Sequence, residues 1–375
     1  MKTNKSIIVK ILLWPLSAIY GLGVGIRNFM FDCGILPSKQ FDVPVISVGN
    51  ITVGGTGKTP FSEYLIRLLQ TNHRVGLLSR GYKRSTSGYQ LLTASSTPKE
   101  VGDEPYQIKR KFPEIMVAVD ANRRHGITKM LNEPINKPDI IILDDAYQHR
   151  YVLPDISILL VDYNRMITED SLLPIGQLRE PVKSKNRANI IVVTKCPSSI
   201  PPIEFRIIRK NLGIYPYQSL YFTTLVYGDW VPLFPTEKGS QPSMLENMKK
   251  LSVLAVTGIA SPLPFEEHVR TLAQEVLTLN FPDHHNFTQS NLQKMESLFD
   301  SIQKENKVIV TTEKDAVRLM NHPKFPDKLK PYIYYVPLSV SFLKENDTDF
   351  DKKIWSYLEK NKNFSQLIAK KGEPK

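Results

Sequence analysis

The amino-acid sequence predicts an α/β protein, with a mostly parallel sheet in the first half of the chain and a second α/β block in the second half. Short apolar runs alternate with helical segments, and a glycine-rich turn follows the first run. The length of 375 residues suggests two domains rather than one. Because alternating strands and helices cover both faces of a parallel sheet, we expect ligands at the carboxyl ends of its strands.

The first half contains six apolar runs that we predict to be buried strands. They are Val43–Val48, Arg74–Ser79, Ile115–Val119, Ile140–Leu143, Ile156–Val161 and Ile190–Thr194. Helices are predicted between them at Pro60–Gln70 and Asp103–Lys111. The pattern changes near Ser219, where two extended segments, Leu220–Val226 and Trp230–Phe234, follow each other without a helix.

A second α/β block begins near Leu251. Its predicted strands are Val253–Thr257, Val276–Asn280 and Val308–Thr311, and its predicted helices are Pro264–Gln274 and Gln289–Lys304. A further extended run, Tyr332–Ser339, is expected to pair with the earlier extended segments. We therefore divide the chain into an N-terminal helix (1–30), a core domain (31–218), a linker strand (219–235), a C-terminal α/β domain (236–331), and a return strand with a terminal helix and basic tail (332–375).

The composition indicates an anionic partner. The formal net charge is +12, which favours an acidic membrane surface, a phosphorylated substrate or nucleic acid, although a solubilising surface charge is an alternative. No motif combines aromatic and basic residues as a nucleic-acid site does, so we expect no nucleic-acid partner. Two cysteines, Cys33 and Cys196, form neither a disulfide framework nor a metal spacing, which indicates a reducing, cytoplasmic location.

The N-terminal region is predicted to be an apolar helix that lies in the cytoplasmic membrane interface. Ile11–Ile26 contains no charged residue, and basic residues flank it. This run is shorter than the roughly 20 residues that span a bilayer, and Pro15 and three glycines are expected to weaken a continuous span. Trp14 and Tyr20 would lie at headgroup level. The alternatives are a signal peptide and a helix packed on the protein's own core.

The run from Val45 to Pro60, VISVGNITVGGTGKTP, has the order of a phosphate-binding loop. An apolar strand leads into Gly54, Gly55, Thr56 and Gly57, whose backbone N–H groups can approach phosphate oxygens closely. Lys58 can reach the β- and γ-phosphates and Thr59 can ligate Mg²⁺, so we predict ATP and Mg²⁺ as cofactors. The strict motif has glycine where this chain has Thr52, and the alternative is a glycine-rich turn without a ligand.

Carboxylates follow the predicted strand Ile140–Leu143. Asp144 and Asp145 stand where a phosphate-binding loop is usually accompanied by a Mg²⁺ ligand. Because adjacent residues alternate sides in a strand, only one of the two is expected to face the metal, and a solvated strand end is the alternative. Gln148 and His149 follow within one turn and can point into the same cleft.

Two further loops contain candidate catalytic or metal-binding residues. Val101-Gly102-Asp103-Glu104-Pro105 offers Asp103 either as a helix cap or as the general base that takes a proton from an attacking hydroxyl. In the second loop, Arg179 can stabilise γ-phosphate charge and Glu180 can contact metal, although an exposed ion pair between them is the alternative. The candidate metal ligands are therefore Thr59, Asp144, Asp145, Glu104 and Glu180.

Basic and aromatic side chains at other strand ends can meet an acidic substrate. Together with the residues after Asp145, the candidates for substrate binding are Arg80, Tyr82, Arg123, Gln148 and His149. The pair His284-His285 is a weak signal for zinc, and we favour a histidine that tunes or orients a catalytic carboxylate.

These motifs together resemble the tetraacyldisaccharide 4′-kinases of lipid A synthesis, from the apolar N-terminus to about Leu338. The resemblance rests on the extended phosphate loop and on Ser79-Arg80-Gly81-Tyr82, Gly102-Asp103-Glu104-Pro105, Asp144-Asp145-Ala146-Tyr147-Gln148-His149, Leu178-Arg179-Glu180-Pro181, Asp283-His284 and Thr312-Glu313-Lys314-Asp315-Ala316. Two departures are Lys83, where the family often has glycine, and the Ala260-Ser261-Pro262 loop.

The resemblance implies two α/β/α sandwich domains joined by a two-stranded β linker. It also implies transfer of the ATP γ-phosphate to the 4′-hydroxyl of an anionic acylated glucosamine disaccharide 1-phosphate, at the cytoplasmic face of the bacterial inner membrane. By motif match, Asp103 is the expected catalytic base and His284 its partner, with Lys58 and Arg179 completing the catalytic set. We expect a monomer. The rival hypothesis is a membrane-bound switch ATPase that regulates a partner protein, which the candidate base Asp103 disfavours.

Overall fold

A computed structural model describes residues 7–235, 248–283, 285–343 and 348–359 of the chain. Its larger sheet has nine strands: β1 (Val45–Gly49), β2 (Val75–Ser79), β3 (Gln90–Leu91), β4 (Met116–Val119), β5 (Ile140–Leu143), β6 (Ile156–Asp162), β7 (Ile190–Thr194), β8 (Ser219–Tyr227) and β14 (Leu338–Phe342). The strand order is β14-β8-β7-β6-β1-β5-β2-β4-β3. All pairings are parallel except those of β3 and β14 at the two edges.

The smaller sheet contains β9 (Val231–Pro232), β10 (Ser252–Thr257), β11 (Glu275–Asn280), β12 (Lys307–Thr312) and β13 (Ile333–Val336), in the order β11-β10-β12-β13-β9. Its pairings are parallel except for that between β13 and β9. The α/β fold class with two helix-covered sheets is therefore as predicted.

Helices follow the strands along the chain. They are α1 (Ile7–Asp32), α2 (Lys58–Leu69), α3 (Pro98–Val101), α4 (Asp103–Lys111), α5 (Arg123–Leu131), α6 (Pro202–Leu212), α7 (Leu263–Leu272), α8 (Gln289–Ser301), α9 (Glu313–Met320) and α10 (348–359). Short 3₁₀ turns lie at Ile167–Glu169, Val182–Arg187, Met248–Lys250 and Asp327–Tyr332. The last helix, α10, returns to the larger domain, where Phe350, Ile354 and Leu358 are buried in the same core as Phe61 of α2.

The central strands of the larger sheet are buried on both faces, since every residue of β1, β2 and β5 to β7 is buried. Such strands form the long apolar runs from which they were predicted. Their carboxyl ends all point to one edge of the sheet, which is where polar side chains follow them in the sequence.

The predicted extended run Tyr332–Ser339 belongs to two sheets rather than one. Tyr334 of β13 pairs with Pro232 of β9 in the smaller sheet, whereas Leu338 of β14 pairs with Tyr227 of β8 in the larger sheet. Pro337 separates the two strands, because a residue without a backbone N–H cannot continue the ladder. The chain therefore passes between the domains twice, after β8 and at Pro337.

The N-terminal helix is longer and more continuous than the uncharged run Ile11–Ile26 suggested. Helix α1 runs without a break for 26 residues through Pro15 and three glycines, a length of about 39 Å. By length and composition, Ile8–Asp32 can cross a membrane, and only 6% of its apolar window is buried. Most of the helix surface is therefore exposed, unlike that of a helix buried in the protein's own core.

Polar contacts attach one side of α1 to loops at the carboxyl edge of the larger sheet. Ser17 donates a hydrogen bond to the backbone oxygen of Leu172, and Tyr20 donates one to that of Arg179 (2.8 Å). A Cβ atom at Gly21 would lie only 2.9 Å from Leu172, so this glycine permits the close approach. The local costs of proline and glycine in a helix are offset by this docking.

Candidate active site

The phosphate loop connects β1 to α2 at the centre of the carboxyl edge. Gly54 and Gly57 adopt positive φ angles of 100° and 80°, which other residues adopt only with strain. A Cβ atom at Gly55 would meet nothing within 4 Å, so the loop presents open space there. Thr56 is buried, and α2 begins at Lys58 with its N-terminus toward this space. This is the geometry of an anion site at a helix N-terminus.

Asn50 determines the shape of the loop from inside. Its fully buried side-chain amide donates to the hydroxyl of Thr56 (2.9 Å) and lies 3.3 Å from that of Thr52. The residue before it, Gly49, has no room for a side chain, because a Cβ atom would lie 2.7 Å from the backbone nitrogen of Tyr147. The segment upstream of the glycines is thus as constrained as the loop itself.

Asp145 connects the phosphate loop to the Leu178–Pro181 segment. Its carboxylate lies 3.6 Å from the Lys58 ammonium and 3.6 Å from the Arg179 guanidinium. Burial alone would raise the pKa of Asp145, but these two cations lower it below its ordinary value. The residue has a positive φ of 47°, so the chain turns sharply at the end of β5.

Asp144 points in the opposite direction from its neighbour. It is buried beneath the loop, where it accepts hydrogen bonds from Ser62 (3.1 Å) and Ser79 (3.5 Å). Burial raises the pKa of Asp144 to about 7, and the carboxylates of Glu104 and Asp145 contribute to this rise. The two adjacent carboxylates thus differ strongly in environment.

The five predicted metal ligands are not gathered into a preformed cage. Within the described ranges, no group of three or more His, Cys, Asp or Glu side chains has the spacing of a metal site. Glu180 is buried and paired with Arg187 at 2.7 Å, so the predicted alternative of an Arg179–Glu180 ion pair is wrong. Asp145 Oδ1 and Glu180 Oε1 are both buried and lack a hydrogen-bond partner, which suits cation ligands.

The loops that carry Arg80 and Asp103 are packed together through their glycines. Gly81 and Gly102 have positive φ angles of 70° and 94°. A Cβ atom at Gly102 would lie 3.1 Å from the backbone oxygen of Tyr82, and one at Gly81 would lie 2.8 Å from that of Val101. The backbone contact fixes Asp103 and Glu104 next to Tyr82.

Asp103 is the first residue of α4, and Gly102 occupies the cap position. The Asp103 carboxylate does not cap the helix, so that alternative is wrong. It accepts two hydrogen bonds from Arg318 of α9, one from Nη2 (2.6 Å) and one from Nε (2.9 Å), both at Oδ2. The second domain therefore reaches the candidate base directly.

A pocket of about 310 Å³ lies between these loops and α1. We call it the acceptor pocket. Its wall includes Tyr20, Val24 and Arg27 from α1, and side chains from the sheet edge: Ser79, Arg80, Tyr82, Glu104, Asp145, Gln148, His149, Arg179 and Glu180. The apolar helix and Asp145, whose carboxylate faces Lys58 of the phosphate loop, thus line one cavity.

Four of the five predicted substrate-binding residues line the acceptor pocket, and Arg123 does not. The guanidinium of Arg123 is buried, and it donates to the backbone oxygens of Asp120 and Asp144. Its position is beneath the site, where it fixes the ends of β4 and β5.

Burial, followed by the charges of Arg123 and Arg80, lowers the pKa of His149 to about 4.

The predicted catalytic residue His284 lies outside the described residues. Its neighbour His285 contacts Asn291 (2.8 Å) and stacks on Phe281, so it has a local structural role.

Sequence reasoning missed three cations near the site: Arg165, Lys195 and Arg318. Arg165 contacts Gln177 beside Gly54, and Lys195 donates to the backbone oxygen of Gly55. A lysine directly after the predicted strand Ile190–Thr194 was an available signal for Lys195, whereas nothing local pointed to Arg318.

The fold and site define a two-domain P-loop nucleotide-binding protein with a pocket beside an apolar helix. The family model for tetraacyldisaccharide-1-P 4′-kinase matches residues 9–359. The chain belongs to this family, as the motif resemblance indicated.

Curated relatives and one solved structure agree with this membership. The tetraacyldisaccharide 4′-kinase of Phocaeicola vulgatus is 49% identical over 363 residues, which cover 95% of this chain and 97% of that protein. The one of Bacteroides thetaiotaomicron is 48% identical and covers 95% of each chain. The crystal structure of Aquifex aeolicus LpxK in complex with ATP has a TM-score of 0.71 and 28% identity, and it covers 93% of this chain and 99% of that chain.

Proposed function

We propose that this chain transfers the γ-phosphate of ATP to the 4′-hydroxyl of a tetraacyldisaccharide 1-phosphate. Family membership supports the reaction. The observation that carries the assignment to this site is the acceptor pocket, because one cavity is lined by Tyr20 of the apolar helix and by Asp145 beside the phosphate loop. A lipid headgroup can enter such a cavity while its acyl chains stay beside α1.

The nucleotide is held by the phosphate loop. Gly54, Gly55, Thr56 and Gly57 offer backbone N–H groups, and Lys58 approaches the transferred phosphate from the start of α2. Arg179 carries the second positive charge, which offsets charge that develops on the γ-phosphate oxygens during transfer. The ATP complex of the Aquifex relative supports ATP as the donor.

Mg²⁺ is the metal that this donor set fits. Kinases bind Mg²⁺ through one or two carboxylates together with phosphate oxygens and water, so a complete protein cage is not required. Thr59 and Asp145 would hold the ion. Glu104 lines the same pocket as Asp145, and Asp144 is buried beneath the phosphate loop. When bound, the ion neutralises phosphate charge.

Asp103 is the proposed general base. As the 4′-oxygen forms its bond to the γ-phosphorus, the hydroxyl proton passes to the Asp103 carboxylate and the bond to the bridging oxygen of ADP breaks. Asp103 is adjacent to Glu104 of the acceptor pocket wall. The pocket residues Arg80, Tyr82, Gln148 and His149 would orient the sugar and its phosphate. His284 is proposed as a partner of Asp103 on motif grounds.

The enzyme would work as a monomer at the cytoplasmic face of the bacterial inner membrane. Ten large apolar side chains between Ile8 and Phe29 are exposed, and basic residues flank the uncharged run Ile11–Ile26, which suits an acidic lipid surface. ATP is available on that side.

The test is transfer of labelled γ-phosphate from Mg-ATP to a tetraacyldisaccharide 1-phosphate in detergent micelles. The proposal expects a labelled bis-phosphorylated lipid, with no transfer after chelation of Mg²⁺. ATP hydrolysis without labelled lipid would contradict it and would favour the switch ATPase.

A further inference from the structure

Arg318 differs from the other cations around the site because it comes from the second domain. Among the described residues, three side-chain contacts of α4 join the domains: Asp103 with Arg318, Tyr106 with Asn321 (3.3 Å), and Lys111 with Glu313 (2.6 Å). Only the first of these involves a residue to which the proposed reaction assigns a chemical role.

The guanidinium of Arg318 is held on both sides. Its side chain is only 7% exposed, and Nη1 lies 3.2 Å from the carboxylate of Asp315. Asp315 is itself fully buried and accepts hydrogen bonds from the backbone N–H of Gly258 (2.8 Å) and the hydroxyl of Thr312 (2.7 Å). This chain of bonds fixes the direction in which Arg318 points.

The contact engages only half of the Asp103 carboxylate. Both donors, Nε and Nη2, reach Oδ2, so Oδ1 remains outside the pair. A carboxylate fixed through one oxygen can present the other to a hydroxyl in a defined direction. In phosphoryl transfer, where positioning supplies much of the catalysis, a displacement of about 1 Å costs about 100-fold in rate.

We propose that Arg318 is a positioning residue for the general base, so that Asp103 is correctly oriented only when the second domain is docked against α4. The inference rests on the proposed function. It adds a residue to the reaction and gives the second domain a role at the site through α9.

The test compares Arg318→Gln, Arg318→Lys and the matched interface control Asn321→Ala in the lipid phosphorylation assay, with thermal unfolding recorded for each. We expect Arg318→Gln to lower kcat at least about tenfold while KM for ATP changes less than about twofold. Arg318→Lys keeps a charge beside Asp315 and should recover part of the loss. Asn321→Ala should stay close to the wild type.

The Asp103→Asn background separates positioning from general destabilisation. If Arg318 acts through Asp103, adding Arg318→Gln to Asp103→Asn should cost less than about twofold further. Three results would overturn the inference. The first is a double variant whose rate loss is the product of the two single losses. The second is an Asn321→Ala defect as large as that of Arg318→Gln, and the third is a normal kcat for Arg318→Gln when Asp103→Ala is inactive. An active Asp103→Ala would overturn the base assignment and this inference together, and a wild type without lipid transfer would overturn the proposed function itself.

Discussion

The nucleotide side and the acceptor side of this site are built in different ways. The nucleotide side comes from the loop after β1 and the end of β5, two neighbouring strands that pair in register and are wholly buried. The acceptor side is assembled from α1 and from the segments that carry Arg80, Glu104, His149 and Arg179, with α9 of the second domain in contact with Asp103. The sheet fixes the first side, whereas the second side forms only when separate segments dock.

The largest effect is expected on the nucleotide side. Lys58→Ala removes the charge at the start of α2 and should lower phosphate transfer by about 10³-fold or more, because the γ-phosphate loses its main cation. Lys137→Ala, at the opposite edge of the same sheet before β5, is the matched control and should keep full activity. Transfer of labelled phosphate measures both variants, and an active Lys58→Ala would refute the loop assignment.

Alanine substitutions at two glycines of the same loop region should impair different properties, one the stability of the fold and the other ATP binding. Gly49→Ala places a methyl group 2.7 Å from the backbone nitrogen of Tyr147 and should cost about 1–3 kcal/mol of folding free energy. Gly55→Ala meets open space, so it should keep the melting temperature and instead weaken ATP binding where phosphate approaches. Denaturant unfolding and nucleotide titration separate the two. A destabilised Gly55→Ala would show that the loop is not open.

On the acceptor side, polar substitution of the exposed face of α1 should change lipid use without changing nucleotide binding. Leu12, Ile19 and Leu22 are each about two-thirds exposed. Replacing all three by aspartate should lower the affinity for anionic vesicles, measured by co-sedimentation, by at least about tenfold. Each apolar side chain buried in the membrane contributes about 1.5–3 kcal/mol to the binding free energy. Ile135→Asp, an exposed apolar residue in the loop before β5, is the control. Unchanged sedimentation of the triple variant would contradict a membrane role for α1.

The last expected effect is a pH dependence at His149. Its pKa is lowered from 6.5 to about 4, so the fold favours the neutral ring. This contribution to stability is fully present above pH 6.5 and is lost as the pH falls toward about 4. His149→Asn should therefore lose less unfolding free energy than wild type between pH 7 and 5, by at most about 3 kcal/mol. Urea titrations at pH 7 and pH 5 measure the unfolding free energy of both proteins. An equal fall in wild type and His149→Asn between the two pH values would show that His149 is not held neutral.

The same contrast explains what could be predicted from the sequence. Buried parallel strands and the glycine loop leave local patterns, so β1, β5 and the phosphate loop were predictable from apolar runs and spacing. Contacts between segments that are distant in the sequence leave no such local pattern. The pairing of Asp103 with Arg318 joins residues 215 positions apart, and the hydrogen bonds of Ser17 and Tyr20 join α1 to loops 155 and 159 positions away.

The most direct test of the whole account measures lipid phosphorylation and ATP binding together for wild type and Asp103→Ala. We expect wild type to label the lipid and Asp103→Ala to bind ATP with an affinity within about twofold of wild type while its transfer rate falls by at least about 100-fold. That result would establish that the nucleotide side works independently of the acceptor side. Normal transfer by Asp103→Ala, or loss of ATP binding in parallel with activity, would contradict the account.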